Sequence, residues 1–275
     1  MIESKNLKIH QSGELLYITF PSLELPGIKH CFTTKLGGVS KDIFSTMNLS
    51  FSRGDDKEAV LQNYKIICRE LNVDYKKCVL SAQTHTSNVR IVTEADAGKG
   101  IITERDYSDV DGLITNVPGL TLVTQFADCV GLLFYDPIKK VIAASHAGWR
   151  GTVAGIGAIT VEKMAISFGC NPKNIRAAVS PSIGPCCFEV DEPVYNEFMK
   201  LKGIDHDRII TLKSVGKYNI DLWETNRSIL IGAGLLPENI TVTDLCTKCH
   251  HDIFFSHRHT AGKRGNLAAM ICIEE

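Results

Sequence analysis

The sequence lacks any apolar run approaching the roughly 18–20 residues that a membrane-spanning helix needs. It also lacks a charge of one sign: 30 Lys and Arg stand against 31 Asp and Glu, a formal net charge of −1. So balanced a chain offers no electrostatic footprint for nucleic acid or an anionic membrane, and neither is expected as a partner. The opening MIESKNLKIHQSGELLYITF has no charged start followed by an unbroken apolar core and a small-residue cleavage site. A cytoplasmic protein is therefore expected. Internal repeats, low-complexity tracts and Pro/Ser-rich linkers are missing too, and no composition break divides the chain, so residues 1–275 read as one domain. What remains is an ordinary globular composition, 44% hydrophobic and 22% charged, with ample material for a core.

Cysteine is not scarce: there are ten, but they are scattered. Without a secretion leader a disulfide framework is not expected. Cys68 in YKIICREL and Cys272 in AAMICI sit in apolar runs, where cysteine behaves as a small hydrophobe. The others have to be judged singly for metal-binding or catalytic roles.

LLYITF (15–20) and HCFTTKLGGVS (30–40) read as strands, the second running into a Gly-Gly turn. Residues 55–71 open with acids and carry Ala59, Val60, Ile66, Ile67 and Leu71 at helical spacing. The densest β region follows CVLSAQ (78–83) and VRIVT (89–93): GLIT (112–115), LTLVTQF (120–126), VGLLFYD (130–136) and VIAAS (141–145). NVPG and DPIKK between these runs are turn signals and predict consecutive antiparallel hairpins. Helices are expected over 151–168, 192–201 and 221–234, the last ended by Gly234, with IRAAVSPSIG (175–184), ITVTDL (240–245), FFS (254–256) and LAAMICI (267–273) as further extended segments. Strands clustered centrally, with helices between them, point to an α+β fold: a single domain with central mixed or antiparallel β-sheets flanked by helices.

Three side chains occupy equivalent places in this pattern. His85 lies just beyond VLSAQ, Cys129 lies in ADC between two apolar runs, and His146 ends VIAAS. If the strand ends share one sheet edge, two imidazoles and a thiolate make a borderline-soft donor set for Zn²⁺ or copper, with a fourth position open as in catalytic zinc sites. Each residue alone reads equally well as structural. A second cluster, CTKCHH followed by HRH, offers Cys246, Cys249, His257 and His259 in a near-zinc-finger spelling, although H-x-H is too tight. The adjacent Cys186 and Cys187 are expected to point oppositely along an extended chain and not to share an ion. KLGGVS (35–40) offers a weak anion-binding turn. Arg53, Arg150, Arg258 and Arg264 are candidate phosphate contacts.

LGGVS with MNLS, then QTH, DGLITN, TQFADCVGLLFYDP, AASHAGWRGT, SPSIGPCCFEV and DLCT with FFSHR occur in one order. Together they resemble the YfiH-like laccase-domain family, long called multicopper polyphenol oxidoreductases, over about residues 28–273. The resemblance implies a purine nucleoside phosphorylase with adenosine deaminase activity, acting on purine nucleosides and phosphate. It implies that His85, Cys129 and His146 ligate a catalytic Zn²⁺, a site that copper would also fill in vitro. By motif position Gln83, Ser40 and Asn48 are expected to contact base or ribose, and Arg53, Arg150 and Arg258 to hold phosphate. Asp128, beside the thiolate, is expected either to support the metal or move a proton, or to serve the turn. The chain departs from the family at QTHTS and at HRHTAGKRGNL, where His259 and Asn266 replace arginines and Lys263 or Arg264 could substitute. Two rival classes stay open: a metal-independent Cys–His hydrolase using Cys129 and His146, and a copper-dependent polyphenol oxidase, for which nine histidines are few. The sequence sets no oligomeric state.

Overall fold

The computed structural model describes residues 2–275. In chain order its strands are β1 (Lys8–Ser12), β2 (Leu15–Thr19), β3 (Ile28–Thr33), β4 (Cys78–Leu80), β5 (Val89–Ile91), β6 (Gly112–Thr115), β7 (Thr121–Phe126) and β8 (Val130–Asp136). They continue with β9 (Val141–Ala147), β10 (Arg176–Val179), β11 (Glu189–Asp191), β12 (Ile210–Ser214), β13 (Lys217–Ile220), β14 (Ile240–Val242) and β15 (Leu267–Ile273). The helices are α1 (Lys57–Leu71), α2 (Trp149–Val153), α3 (Ile156–Phe168), α4 (Glu192–Met199), α5 (His206–Ile209), α6 (Leu222–Gly232) and α7 (His257–Thr260).

Two mixed six-stranded sheets, ordered β1-β2-β3-β15-β7-β4 and β14-β10-β8-β9-β6-β5, pack face to face; β11-β13-β12 form a smaller antiparallel sheet. The α+β expectation with flanking helices holds. Phe32, Leu122 and Ile271 of the first sheet meet Leu133, Ile142 and Ala144 of the second in the central core. The first sheet's outer face is covered by α1 through Val60, Tyr64 and Ile67, and the second's by α3 and α6 through Val161, Met164 and Leu230. With both faces covered, every residue of β8 and of β9 is buried. Their sequences are therefore continuous apolar runs without alternation.

Of the expected hairpins in this region, only β8–β9 across DPIKK forms. NVPG and ADC do not return the chain within a sheet: β7 pairs with β15 and β4, whereas β6 and β8 pair with β9. A turn signal marks a reversal but not the sheet that receives the next strand, and uniformly apolar strands carry no facial pattern to decide it. The helix expected over 151–168 is two helices, because Gly155 takes a left-handed φ of 74° between α2 and α3. FFS is not a strand but the approach to α7, where the Ser256 side chain caps the helix by accepting from the His259 amide. The crossing from β7 to β8 matters most for function. It passes Asp128, held at φ 81°, and delivers Cys129 between the sheets' ends.

Candidate metal centre

His85, Cys129 and His146 converge, with one potential ligand atom from each lying within 4.8 Å of the others. Cys129 Sγ is 3.8 Å from His85 Nε2, and the two imidazoles meet edge-on at 80° with centroids 4.9 Å apart. His146 is the last residue but one of fully buried β9, Cys129 opens the approach to β8, and His85 lies in the loop after β4 in a left-handed conformation, φ 68°. His85 is exposed, so the centre is open on that side.

One residue that the sequence reading missed organises all of this. Asp111, fully buried, receives the amides of Thr84 (2.9 Å) and Thr86 (3.0 Å) on Oδ2 and that of His85 (3.1 Å) on Oδ1. The same Oδ1 lies 2.7 Å from His146 Nδ1, while the His146 amide donates to the Asp111 carbonyl at 2.8 Å. A single carboxylate thus shapes the loop that presents His85 and fixes the His146 ring, leaving Nε2 as its free nitrogen. This is how ligating histidines are commonly oriented in metal sites. The available signal was an acid directly ahead of the apolar run GLIT, inside the block DGLITN.

Charge follows geometry. Burial alone would raise the Asp111 carboxyl, but hydrogen bonds from His146 and from the Thr84 and Thr86 amides outweigh it and hold the pKa at about 2. Burial would lower His146; the facing Cys129 thiolate and Asp111 raise it to about 9. Burial would raise Cys129, whereas the His146 charge and hydrogen bonds from both histidines lower it to about 6. Without metal, neutral pH therefore finds a thiolate facing an imidazolium. Two nitrogens and a sulfur at these separations suit Zn²⁺ or copper, and metal entry displaces the protons.

Gly148 lies against all three. A Cβ there would come within 2.8 Å of His85 Cδ2, 3.2 Å of Cys129 Sγ and 3.5 Å of His146 Cε1. Its φ of −59° suits alanine, so the cost of substitution is contact rather than backbone strain. Gly148→Ala is expected to push exposed His85 out of the triad and weaken metal binding roughly 10–100-fold, as disturbing ligand orientation does. Chelator competition measures this, while the metal-free thermal midpoint should change little.

The centre opens onto a cavity of about 600 Å³ whose lining includes Arg53, Lys57, Arg105, Arg264, Gln83 and Asp109. Burial and the neighbouring Arg53 push Arg264 down to about 10, and its buried Nε has no hydrogen-bond partner. The rest of the Arg264 guanidinium donates to the Gly265 carbonyl at 3.3 Å and to Asn266 Oδ1, and Arg53 donates to the Gly262 carbonyl at 3.1 Å. Neither meets a carboxylate among the described residues, so their charge stays available to an anion in the pocket. Gln83 lines the cavity, but its amide is spent on the Gln125 backbone, N–H at 2.7 Å and C=O at 2.7 Å. Ser40 and Asn48 are buried away from it, bonded to Asn63 and Asp55. Arg150 is exposed over the Trp149 ring, 4.3 Å away, and does not line the cavity. Nor does Arg258, whose guanidinium holds the carbonyls of Cys187 (3.4 Å) and Glu189 (3.1 Å). Asp128 accepts from Thr247 Oγ1 on one oxygen and from the Arg258 amide on the other, both at 2.6 Å, which makes it a brace of the loops around the centre.

The second sequence cluster is differently composed than expected. His259 stacks on His251 at 3.7 Å, and neither His257 nor His259 joins Cys246 and Cys249. Their companions are Cys186 and Cys187, which lie in a turn after Gly184 rather than in an extended strand, so both sulfurs reach one point. Opposite-pointing neighbours are a property of pleated chain, which this segment is not.

A family model described as multi-copper polyphenol oxidoreductase laccase matches residues 29–274. The purine nucleoside phosphorylase YlmD of Bacillus subtilis is 38% identical over 248 residues, covering 89% of this chain and 88% of that protein. The adenosine deaminase RL5, from an unknown prokaryotic organism, is 35% identical over 229 residues, 82% of this chain and 87% of its own. The crystal structure of the hypothetical protein YfiH from Bacillus licheniformis superposes with a TM-score of 0.91 at 34% identity, covering 98% of this chain and 100% of that one.

Proposed function

The chain belongs to the multi-copper polyphenol oxidoreductase laccase family, and from that premise we propose that it is a zinc-dependent purine nucleoside phosphorylase with adenosine deaminase activity, working as one domain in the cytoplasm. Its substrates are adenosine, inosine and related purine nucleosides, with inorganic phosphate. The observation that carries this reading is the placement of a three-donor centre in the wall of a cavity that also holds Arg53 and Arg264, neither of them facing a carboxylate. Zn²⁺ held by these three residues would supply Lewis acidity and lower the pKa of a water to about 7.

The chain's own groups do the rest. His85, Cys129 and His146 hold the metal, and Asp111 keeps the His146 Nδ1 proton away from it. In phosphorolysis the C1′–N9 bond breaks, a phosphate oxygen bonds to C1′, and the base leaves as the free purine, taking up the proton that hydrogen phosphate gives up. Arg264 and Arg53 hold that phosphate against the sugar as positive charge develops on it. In deamination a water oxygen replaces the C6 amine, which departs as ammonia; no phosphate is needed.

The test is a nucleoside panel, with and without phosphate, followed by mass detection. Adenosine with phosphate should give adenine and ribose 1-phosphate; without phosphate it should give inosine. Arg264→Ala is expected to raise the KM for phosphate about 10–100-fold, the worth of a charge-assisted contact, and to affect deamination far less. Oxidation of a phenol with no nucleoside turnover would sink the reading. Against such an oxidase, no His/Cys/carboxylate cluster among the described residues gathers more than two histidines. One observation favours the Cys–His hydrolase instead: the thiolate–imidazolium pair with Asp111 behind it is also how a nucleophilic cysteine is activated.

A further inference from the structure

Two loops that hydrogen-bond Asp128 bring four cysteines together. Cys186 and Cys187 come from the turn that follows Gly184, and Cys246 and Cys249 from the C-x₂-C stretch CTKC. All four sulfurs lie within 4.8 Å of one another. Cys249 Sγ is 3.6 Å from Cys186 Sγ and 3.5 Å from Cys187 Sγ. Four sulfurs around tetrahedral zinc, each about 2.3 Å from it, stand about 3.8 Å apart. A disulfide would need about 2.05 Å. The Gly184 amide points at Cys246 Sγ from 3.2 Å, which favours sulfur in its charged, metal-binding form.

The loops are built to meet here. Ser182 and Cys246 form a bridge, and the Thr247 amide donates to the Ser182 carbonyl at 2.9 Å. They approach so closely that a Cβ on Gly184 would lie 2.8 Å from the Trp223 ring and 3.1 Å from Cys246 Cβ. Cys246 is buried, Cys187 half-buried, and Cys186 and Cys249 are exposed, so an ion has an entry path. Leaving four thiols in mutual contact gains nothing in packing that smaller apolar side chains would not supply.

We propose that Cys186, Cys187, Cys246 and Cys249 form a second, closed zinc site, structural in role and separate from the His85–Cys129–His146 centre. Four protein ligands leave no position for substrate. What the ion clamps are the loops that grip Asp128: the Ile183 amide donates to the Asp128 carbonyl at 2.9 Å, and Thr247 Oγ1 to its carboxylate at 2.6 Å. Asp128 directly precedes Cys129, so this site makes the crossing between sheets rigid where the thiolate must be placed. The mechanism proposed above gives these four residues no part.

The experiment is metal analysis of the full-length protein purified under a non-chelating reductant. Wild type is expected to carry about two zinc equivalents, and Cys249→Ser and Cys129→Ser about one each. A wild type whose single equivalent is abolished by Cys249→Ser but kept by Cys129→Ser would uphold this site and count against the triad. Cobalt loading of the wild type needs no variant to fold: a four-thiolate site gives the strong sulfur-to-cobalt charge-transfer band of tetrahedral sulfur coordination. The proposal is overturned by zinc content that Cys249→Ser leaves unchanged, by iron in place of zinc, or by absence of that band. It is equally overturned if peptide mapping of the unreduced protein finds a disulfide among Cys186, Cys187, Cys246 and Cys249.

Discussion

Cys129→Ser is expected to strip the centre of metal and lower both nucleoside reactions about 10³-fold or more, while the metal-free protein unfolds within a few degrees of wild type. The rate loss has two sources. A serine hydroxyl stays protonated at neutral pH and is a poor zinc ligand; without the metal, phosphorolysis loses its Lewis acid, and in deamination the attacking water also loses most of its acidity. Removal of a single preorganised electrostatic group already costs about 10²–10³-fold. The fold should tolerate the change because Cys129 is only half-buried and serine is nearly isosteric. His146→Ala would remove activity too, but it would also leave buried Asp111 without its imidazole, and so mixes chemistry with stability.

The same residue separates the zinc enzyme from the metal-free nucleophile. In metal-free wild type, Cys129 should be the fastest cysteine to react with iodoacetamide near pH 7, because its pKa of about 6 leaves it a thiolate. As the pH falls through 6 the thiolate is protonated and the labelling rate should drop; His146 keeps its opposing charge up to about 9. Zinc should suppress the labelling and switch on turnover. Turnover by the metal-free protein, abolished by labelling, would establish the Cys–His hydrolase.

Asp111→Asn is expected to weaken metal binding on the order of 10²-fold and to destabilise the fold by roughly 3 kcal/mol, although it changes no more than one oxygen to nitrogen. Both carboxylate oxygens accept: Oδ1 from His85 and His146, Oδ2 from Thr84 and Thr86. An amide has one acceptor end. If its NH₂ faces His146, the imidazole must carry its proton on Nε2, the atom needed for metal. If the NH₂ faces Thr84 and Thr86, two backbone donors lose their acceptor. The wild-type carboxyl is held at about 2, against about 3.9 when free. Its contribution is thus complete above pH 4 and is lost as the pH falls through 2, an acid-side slope that the variant should lack. Denaturant midpoints against pH and chelator competition check both parts. A variant that binds zinc within threefold of wild type would remove Asp111 from the account.

Much of the architecture was legible locally. Apolar runs marked β7, β8, β9 and β15 because strands covered on both faces must be apolar throughout, and the acid-opened pattern over 55–71 marked α1. The same uniformity concealed which sheet each strand enters. Hence NVPG reads as a hairpin turn although it links strands of different sheets, and the sheet-to-sheet crossing at Asp128 has no local signal. Arg264 and Arg258 looked alike in sequence; only packing turns the first into the cavity and ties the second to the Cys187 loop.

By itself, the sequence determined the element types, the family, and the placing of His85, Cys129 and His146 at the ends of extended segments, because hydrophobic period and motif order are properties of contiguous residues. The tertiary structure alone decided that Asp111 joins two histidines 61 positions apart in the numbering. It alone decided that Cys186 and Cys187 meet Cys246 and Cys249, and which arginines face the cavity. Those meetings are set by how two sheets stack and by where loops cross between them. A chain read a few residues at a time carries no record of that distance.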